Sequence, residues 1–345
     1  MKSTKGVSNV IQTDRQYYRA VMGAIGCTML VFLLLFNVYG TGIALLTLLL
    51  DFLPIGDVAA NIIYQTVYAA GYMLTFMLPV LFLRRFLKRR GCSVQPMSLS
   101  PRLSPMLVPI VFAGVTVCFA MAQINTYLLD WFGYSDFMSG MMEESMATMA
   151  PYEIVLNFIV ISVVPAFCEE FLFRGAILAN CRPFGRTNAV IISAVLFALM
   201  HQNAGQLLYT FSAGIVLGLV YEYTGSIWNC TILHLLNNFV SVAQSAILSK
   251  YGDTEYAATL LTLIEVGIYL IGAISIGVIV SKHFSKRQKL EDGVFERTVP
   301  THDAYAAHPI RGREAVKLFF CPSMIIFVVF VALQIGSLIL LSLIM

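Results

Sequence analysis

Charge is what this sequence has least of. Among 345 residues there are 22 Lys and Arg and 19 Asp and Glu, so 12% of the chain is charged against 58% hydrophobic. With a mean hydropathy of +0.79, the chain lacks the polar surface that keeps a globular domain in water. Paired thiols are lacking too. The seven cysteines (Cys27, Cys92, Cys118, Cys168, Cys181, Cys230 and Cys321) form no Cys-x-x-Cys and lie mostly in apolar runs. That pattern reads as small buried hydrophobes rather than a disulfide or thiolate-metal framework. No His-Glu-x-x-His occurs. No cleavable signal peptide is evident, because the first apolar run is far longer than a signal h-region and reads as a retained anchor. No internal repeat is visible, which argues against an inverted-repeat transporter.

What fills the chain instead is long uncharged stretches, the signature of membrane-crossing helices. Nine apolar segments are expected, at about 20–50, 58–83, 105–129, 152–181, 187–202, 206–222, 227–248, 256–281 and 316–345. The fold class is therefore all-α, a polytopic membrane helical bundle of about nine transmembrane helices with a polar intramembrane site. Residues 1–18 read as a cytoplasmic lead, 19–149 as three N-terminal helices and 150–250 as the motif-bearing helices. An eighth helix covers 251–281, a polar cytoplasmic linker 282–315, and an additional C-terminal helix 316–345. The first segment is long for one span and is expected to tilt, or to break near Gly40 to Gly42.

Charge placement gives an orientation. With the N-terminus inside, the inner loops hold all but two of the 22 Lys and Arg, the exceptions being Lys250 and Arg174. Outer loops carry Asp51, Asp57, Asp130, Asp136, Glu143, Glu144, Asp253 and Glu255. Such asymmetry is what the positive-inside rule demands of nine spans. An integral, multi-pass protein with a cytoplasmic N-terminus is expected, in the plasma membrane for a bacterial source. The basic clusters are read as topology determinants with some attraction for anionic lipid, not as a nucleic-acid surface.

Against this background one stretch stands out. Pro165-Ala-Phe-Cys-Glu-Glu-Phe-Leu-Phe-Arg-Gly175 puts Glu169, Glu170 and Arg174 into an otherwise apolar run. Each ionisable group costs about 2.5–3.5 kcal/mol at the centre of a membrane helix, so three together must pair or face water. Glu170 and Arg174 are four apart and share a helix face, the spacing of an ion pair. Glu169, rotated about 100° away, is left as the free carboxylate and a candidate general base. A salt bridge that merely locks helices is the competing reading.

Two histidines follow in neighbouring segments. The turn Pro183-Phe184-Gly185 folds segments four and five into a hairpin. Glu169 lies about 15 residues before it and His201 about 17 after it, so the two share a depth at 1.5 Å per residue. Phe197 points the same way one turn earlier. A second turn, Thr224-Gly225-Ser226, precedes Trp228, read as an interfacial anchor. His234 then shares a face with Asn238, while Asn237 is expected to point elsewhere. A His–Asn stripe can donate hydrogen bonds to a developing oxyanion, or serve only as interhelical glue. Glu265 fits no motif and is expected to be protonated or to line a wet cavity. Glu222 is expected to be solvated at the interface.

Glu-Glu-x-x-x-Arg (169–174), Phe-x-x-x-His (197–201) and His-x-x-x-Asn (234–238), with the stretches 214–221 and 224–228, resemble the motifs of the CAAX-protease and bacteriocin-processing (Abi) family of intramembrane proteases. The resemblance covers about residues 150–245. It implies an endopeptidase of metallo- or glutamate type acting on a membrane-associated protein or peptide, either prenylated CAAX-type or leader-type. By position, Glu169 and His201 would activate water. His234 and Asn238 would stabilise the oxyanion, and Glu170 and Arg174 would hold the site in shape. No cofactor is obligatory on this reading, although Glu169, His201 and His234 could offer zinc two imidazoles and a carboxylate. The competing functions are a non-catalytic scaffold or immunity protein of the same family, and a proton-coupled transporter using Glu169, Glu170 and Glu265.

Overall fold

The computed structural model describes residues 14–99, 105–131, 133, 149–291 and 312–344. Apart from turns, every element among them is helical. The principal helices are α1 (Asp14–Phe52), α2 (Asp57–Arg89), α3 (Leu107–Trp131), α4 (Pro151–Phe184), α5 (Arg186–Met200), α6 (Leu207–Thr224), α7 (Ile227–Tyr251), α8 (Glu255–Glu291), α9 (Arg313–Phe319) and α10 (Pro322–Ile344).

Eight of the described helices are long and apolar enough to cross a membrane, and the chain is an integral, multi-pass helical bundle. The fifth expected segment is α5. At 15 residues it is about 22 Å long, short of a hydrocarbon core about 30 Å thick. It ends inside the bundle, and the corner at 201–206 turns at the level of the site. Irregular backbone survives at such depth only where protein or trapped water satisfies it. Asn203 does so by accepting from the Gly205 N–H at 2.8 Å, and the Asn125 amide of α3 donates to the Gly205 carbonyl.

Of the two outcomes expected for the first helix, the break near Gly40 to Gly42 does not occur: α1 runs 39 residues unbroken. Gly40 and Gly42 have open space around them, and no proline removes a backbone donor, so glycine alone lowers helix propensity without ending the helix. At the other end of the chain, α8 continues to Glu291, beyond the apolar part and into the polar stretch. The remainder of the expected linker to residue 311, like residues 1–13 of the lead, lies outside the described residues. The last apolar segment divides at Phe320–Cys321 into α9 and α10, with Pro322 in the first turn of α10, where its missing N–H costs nothing.

Helices α4, α5, α6 and α7 form the centre. Helix α2 packs on one side of α4, α3 covers α6 and α7, and α1 with α10 and α8 lie further out. Close backbone approach joins α5 to α6. A Cβ on Gly214 would stand 2.8 Å from Ala194 Cα, and one on Gly218 would stand 3.0 Å from Val190 Cγ1. This small-xxx-small spacing lets helices meet where lipid supplies no hydrophobic drive. The hairpin tips obey local chemistry. Gly185 (φ 109°) ends the turn after Pro183-Phe184, and Gly225 (φ 63°) is the left-handed cap of α6.

These glycines give a matched test. Gly214→Ala should lower the thermal unfolding midpoint of the detergent-solubilised protein, with overpacking costing about 1–3 kcal/mol. The same change at Gly40, which faces open space, should leave the midpoint unchanged or raise it by relieving about 1 kcal/mol of glycine's helix penalty.

Candidate active site

Helix α4 is not a uniform α-helix. Two π-helical stretches, Phe158–Val163 and Phe171–Leu178, flank the α-helical turns Val164–Glu170. Such wide turns recur at functional sites because they re-aim side chains and free carbonyls. Pro165 adds to this, having no N–H to offer the carbonyl of Ile161 four residues earlier. That carbonyl is taken instead by the Asn238 amide of α7, at 3.2 Å.

At the junction of the second π stretch, Glu170 and Arg174 meet as the spacing requires. Arg174 Nη1 donates to Glu170 Oε1 at 2.9 Å, with both side chains 0% exposed. Arg174 also donates through Nη2 to the Gly214 carbonyl at 3.1 Å and stacks 4.7 Å above the Phe197 ring. The guanidinium is thus held by three elements, α4, α6 and α5. A buried charge pair is tolerable only with such additional partners.

The same Glu170 oxygen receives a second donor, His234 Nδ1 at 2.9 Å. A carboxylate only accepts here, so Nδ1 carries the proton and Nε2 points onward. That Nε2 lies 3.9 Å from Glu169 Oε2. His201, at the cap of α5, donates Nδ1–H to the Phe197 carbonyl at 2.8 Å, which leaves its Nε2 as an acceptor. Phe197 stands edge-on to both imidazoles, 5.0 Å from His201 and 5.9 Å from His234.

Glu169 itself is buried and holds one unforeseen partner. Tyr72 of α2 donates its hydroxyl to Glu169 Oε1 at 2.5 Å. The other oxygen, Oε2, has no hydrogen-bond partner among the described residues. Glu169, Phe197, His201, Tyr209, His234 and Asn238 line a cavity of about 70 Å³, room for a few waters and polar enough to hold them. Asn237 lines it as well, contrary to the expectation that it points away. Its amide donates to Tyr209 Oη at 2.5 Å, so the tyrosine's own proton is free to point elsewhere. Tyr72 and Tyr209 were missed by sequence reasoning because neither sits in a charged motif. Their distinguishing signal is only a phenol among apolar residues.

Among the described residues no three His, Cys, Asp or Glu side chains are gathered as one ion requires. The suggested zinc site at Glu169, His201 and His234 is not formed among the described residues.

Two other carboxylates resolve differently from expectation. Glu222 is not a solvated interfacial group but is buried, at 6% exposure. Arg182 Nε donates to it at 2.5 Å and Arg186 Nε at 2.8 Å, because the α4–α5 hairpin tip lies across the end of α6. Glu265 accepts from the Gln123 amide of α3 at 3.1 Å, an α3–α8 link outside the cavity. Trp228, expected as an anchor, donates its indole N–H to the Leu99 carbonyl at 2.7 Å.

Comparison with known proteins points to the same segment. Residues 151–240 match the family model described as Rce1-like, type II CAAX prenyl endopeptidase Rce1-like. They contain every residue lining the cavity except Cys118. The chain is also 31% identical over 139 residues to the Bacillus subtilis (strain 168) protein named "Putative membrane peptidase YdiL". That alignment covers 38% of this chain and 55% of the relative, so the chain spans about half the length of the curated relative it matches. No solved structure matches the chain. Residues 151–240, which hold the three motifs, are thus what this chain shares with the Rce1-like family model.

Proposed function

We propose that this protein is an intramembrane endopeptidase that hydrolyses a peptide bond in a membrane-associated protein or peptide. One observation carries the reading: Glu169, braced by Tyr72 through one oxygen and with the other oxygen unpartnered, lines a polar cavity together with two imidazoles. A carboxylate kept in that state is poised to take a proton from water, which is the first requirement of hydrolysis.

On this reading a water in the cavity gives its proton to Glu169 Oε2 as its oxygen attacks the substrate carbonyl carbon. His201 Nε2, held as an acceptor by its bond to Phe197, orients the second hydrogen of that water. Charge then develops on the carbonyl oxygen. His234, its far nitrogen anchored to Glu170, donates Nε2–H to it when both ring nitrogens carry protons. The Asn238 amide has one hydrogen beyond its bond to Ile161, and the Tyr209 hydroxyl is free to donate after accepting from Asn237. Collapse of the tetrahedral intermediate breaks the C–N bond, and the proton held by Glu169 passes to the departing amine. Glu170 and Arg174 act as positioning residues, fixing His234 from behind. Prenylated CAAX-type and leader-type substrates both fit the proposal, consistent with the family.

The roles separate by measurement in proteoliposomes offering a prenylated CAAX peptide and a leader peptide. Glu169→Gln and His201→Ala should each lower cleavage by about 10²–10⁴-fold, the usual worth of a general base, while leaving the unfolding midpoint near that of the parent. A cleavage rate unchanged in both variants would sink the hydrolase reading. Glu170→Gln should behave oppositely in stability, because it leaves Arg174 buried without its counter-charge at a cost of about 3–5 kcal/mol. Tyr72→Phe removes one hydrogen bond to the carboxylate, worth about 1–1.5 kcal/mol. It should lower kcat by about tenfold with KM unchanged, whereas a substrate-binding role would appear in KM.

A further inference from the structure

Away from the catalytic cavity, a second and larger hollow of about 440 Å³ opens where the start of α1, the end of α2 and the α9–α10 break converge. Three cations line it: Arg19 of α1, Arg90 after α2 and Lys317 of α9. No Asp or Glu is among its lining residues. Glu314, the acid of α9, is engaged by Arg15. None of the three cations forms an ion pair with a described residue, even though they come from three separate parts of the sequence.

The hollow is built rather than incidental. Ser323 donates to the Gly23 carbonyl at 3.1 Å, and a Cβ on Gly26 would stand 2.8 Å from the Met324 backbone nitrogen. Helices α1 and α10 are therefore in backbone contact along one wall. The Arg90 guanidinium is seated on the Phe86 ring, 4.6 Å from its centroid. A Cβ on Gly23 would come within 3.2 Å of Arg90 Nη1, so the glycine leaves room for the head to reach the hollow. The three cations are exposed, so water screens their mutual repulsion, and an anion in the hollow is attracted by all three. Below the opening, the exposed apolar face of α10 (Ile325, Ile326, Val329, Phe330) continues toward the hydrocarbon, a surface on which an acyl chain can lie.

We propose that this hollow binds a phosphate group, with Arg19, Arg90 and Lys317 as its ligands. Two guanidinium forks and an ammonium lining one hollow suit a tetrahedral oxyanion, which accepts from several directions, better than a planar carboxylate. The site stands apart from the peptidase reading, and its test needs no activity.

Full-length protein in phosphatidylcholine nanodiscs is followed by its thermal unfolding midpoint while phosphatidylglycerol is added to the bilayer, or inorganic phosphate replaces chloride at constant ionic strength. The midpoint should rise in at least one arm, and the arm identifies the source as a lipid headgroup or free phosphate. Joint replacement Arg19→Gln, Arg90→Gln and Lys317→Gln should weaken the response on the order of tenfold or more. The charge-matched replacement Arg85→Gln, Lys88→Gln and Arg89→Gln, at the same rim but outside the hollow, should retain it. Should the first triple variant not fold, the single change Lys317→Glu at an exposed position is expected to abolish the response. No rise in either arm, or equal loss in the control triple, overturns the site in favour of a diffuse basic rim.

Discussion

The contact between Arg174 and Glu170 is where membrane physics bears hardest on this protein. Two fully buried charges in a bundle surrounded by lipid cannot be left singly, and neither can be satisfied by one partner alone. The structure meets this by drawing on every central helix. Helix α6 offers the Gly214 carbonyl, α5 the face of Phe197, and α7 the imidazole of His234. Each of these contacts also aligns a helix. The close approach at Gly214 and Ala194 that binds α5 to α6 is the same approach that lowers the Gly214 carbonyl to the guanidinium. Packing and electrostatics therefore select one arrangement.

From that pair the geometry of the candidate site follows outward. His234 is fixed through its rear nitrogen, and its front nitrogen is thereby directed to Glu169. Glu169 is not part of the pair. It is next in sequence but turned onto another face, where Tyr72 of α2 braces it. The separation gives two adjacent carboxylates distinct duties, one neutralised by an arginine and structural, the other exposed to a small polar cavity. The wide turns of α4 assist, since a backbone departing from the regular ladder leaves Ile161 with a carbonyl that Asn238 can use. Polar side chains of α7 are thus spent on real backbone needs as well as on lining the cavity.

The outer helices have a different logic. Helices α8 and α10 present much apolar surface and few buried residues, as expected of elements that meet lipid directly. They are tied inward by small, local polar links: Gln123 to Glu265 and the Thr116 hydroxyl to the Ile268 carbonyl for α8, Ser323 to the Gly23 carbonyl for α10. Such links are individually weak, about 0.6 kcal/mol on average between membrane helices. Their value lies in register. At the rim where α10 begins, the consequence of that register is a hollow ringed by cations, a feature that no single helix contains.

Much of this was readable in advance, and for identifiable reasons. Hydropathy locates helices well because lipid leaves the backbone no alternative, and the Glu170–Arg174 pair follows from two residues four apart. The Pro183–Gly185 and Gly225 turns follow from residues that only a turn accommodates. The partners across space could not be read. Tyr72 and Tyr209 carry no sequence mark, Asn237 was assigned away from the cavity by ideal 100° steps, and Glu222 appeared solvated until Arg182 and Arg186 folded over it. A linear pattern reports what a side chain needs, namely burial, a counter-charge or a donor. Which distant group meets that need depends on helix packing angles and on local departures such as the π turns of α4. Those arise only when all the helices are brought together.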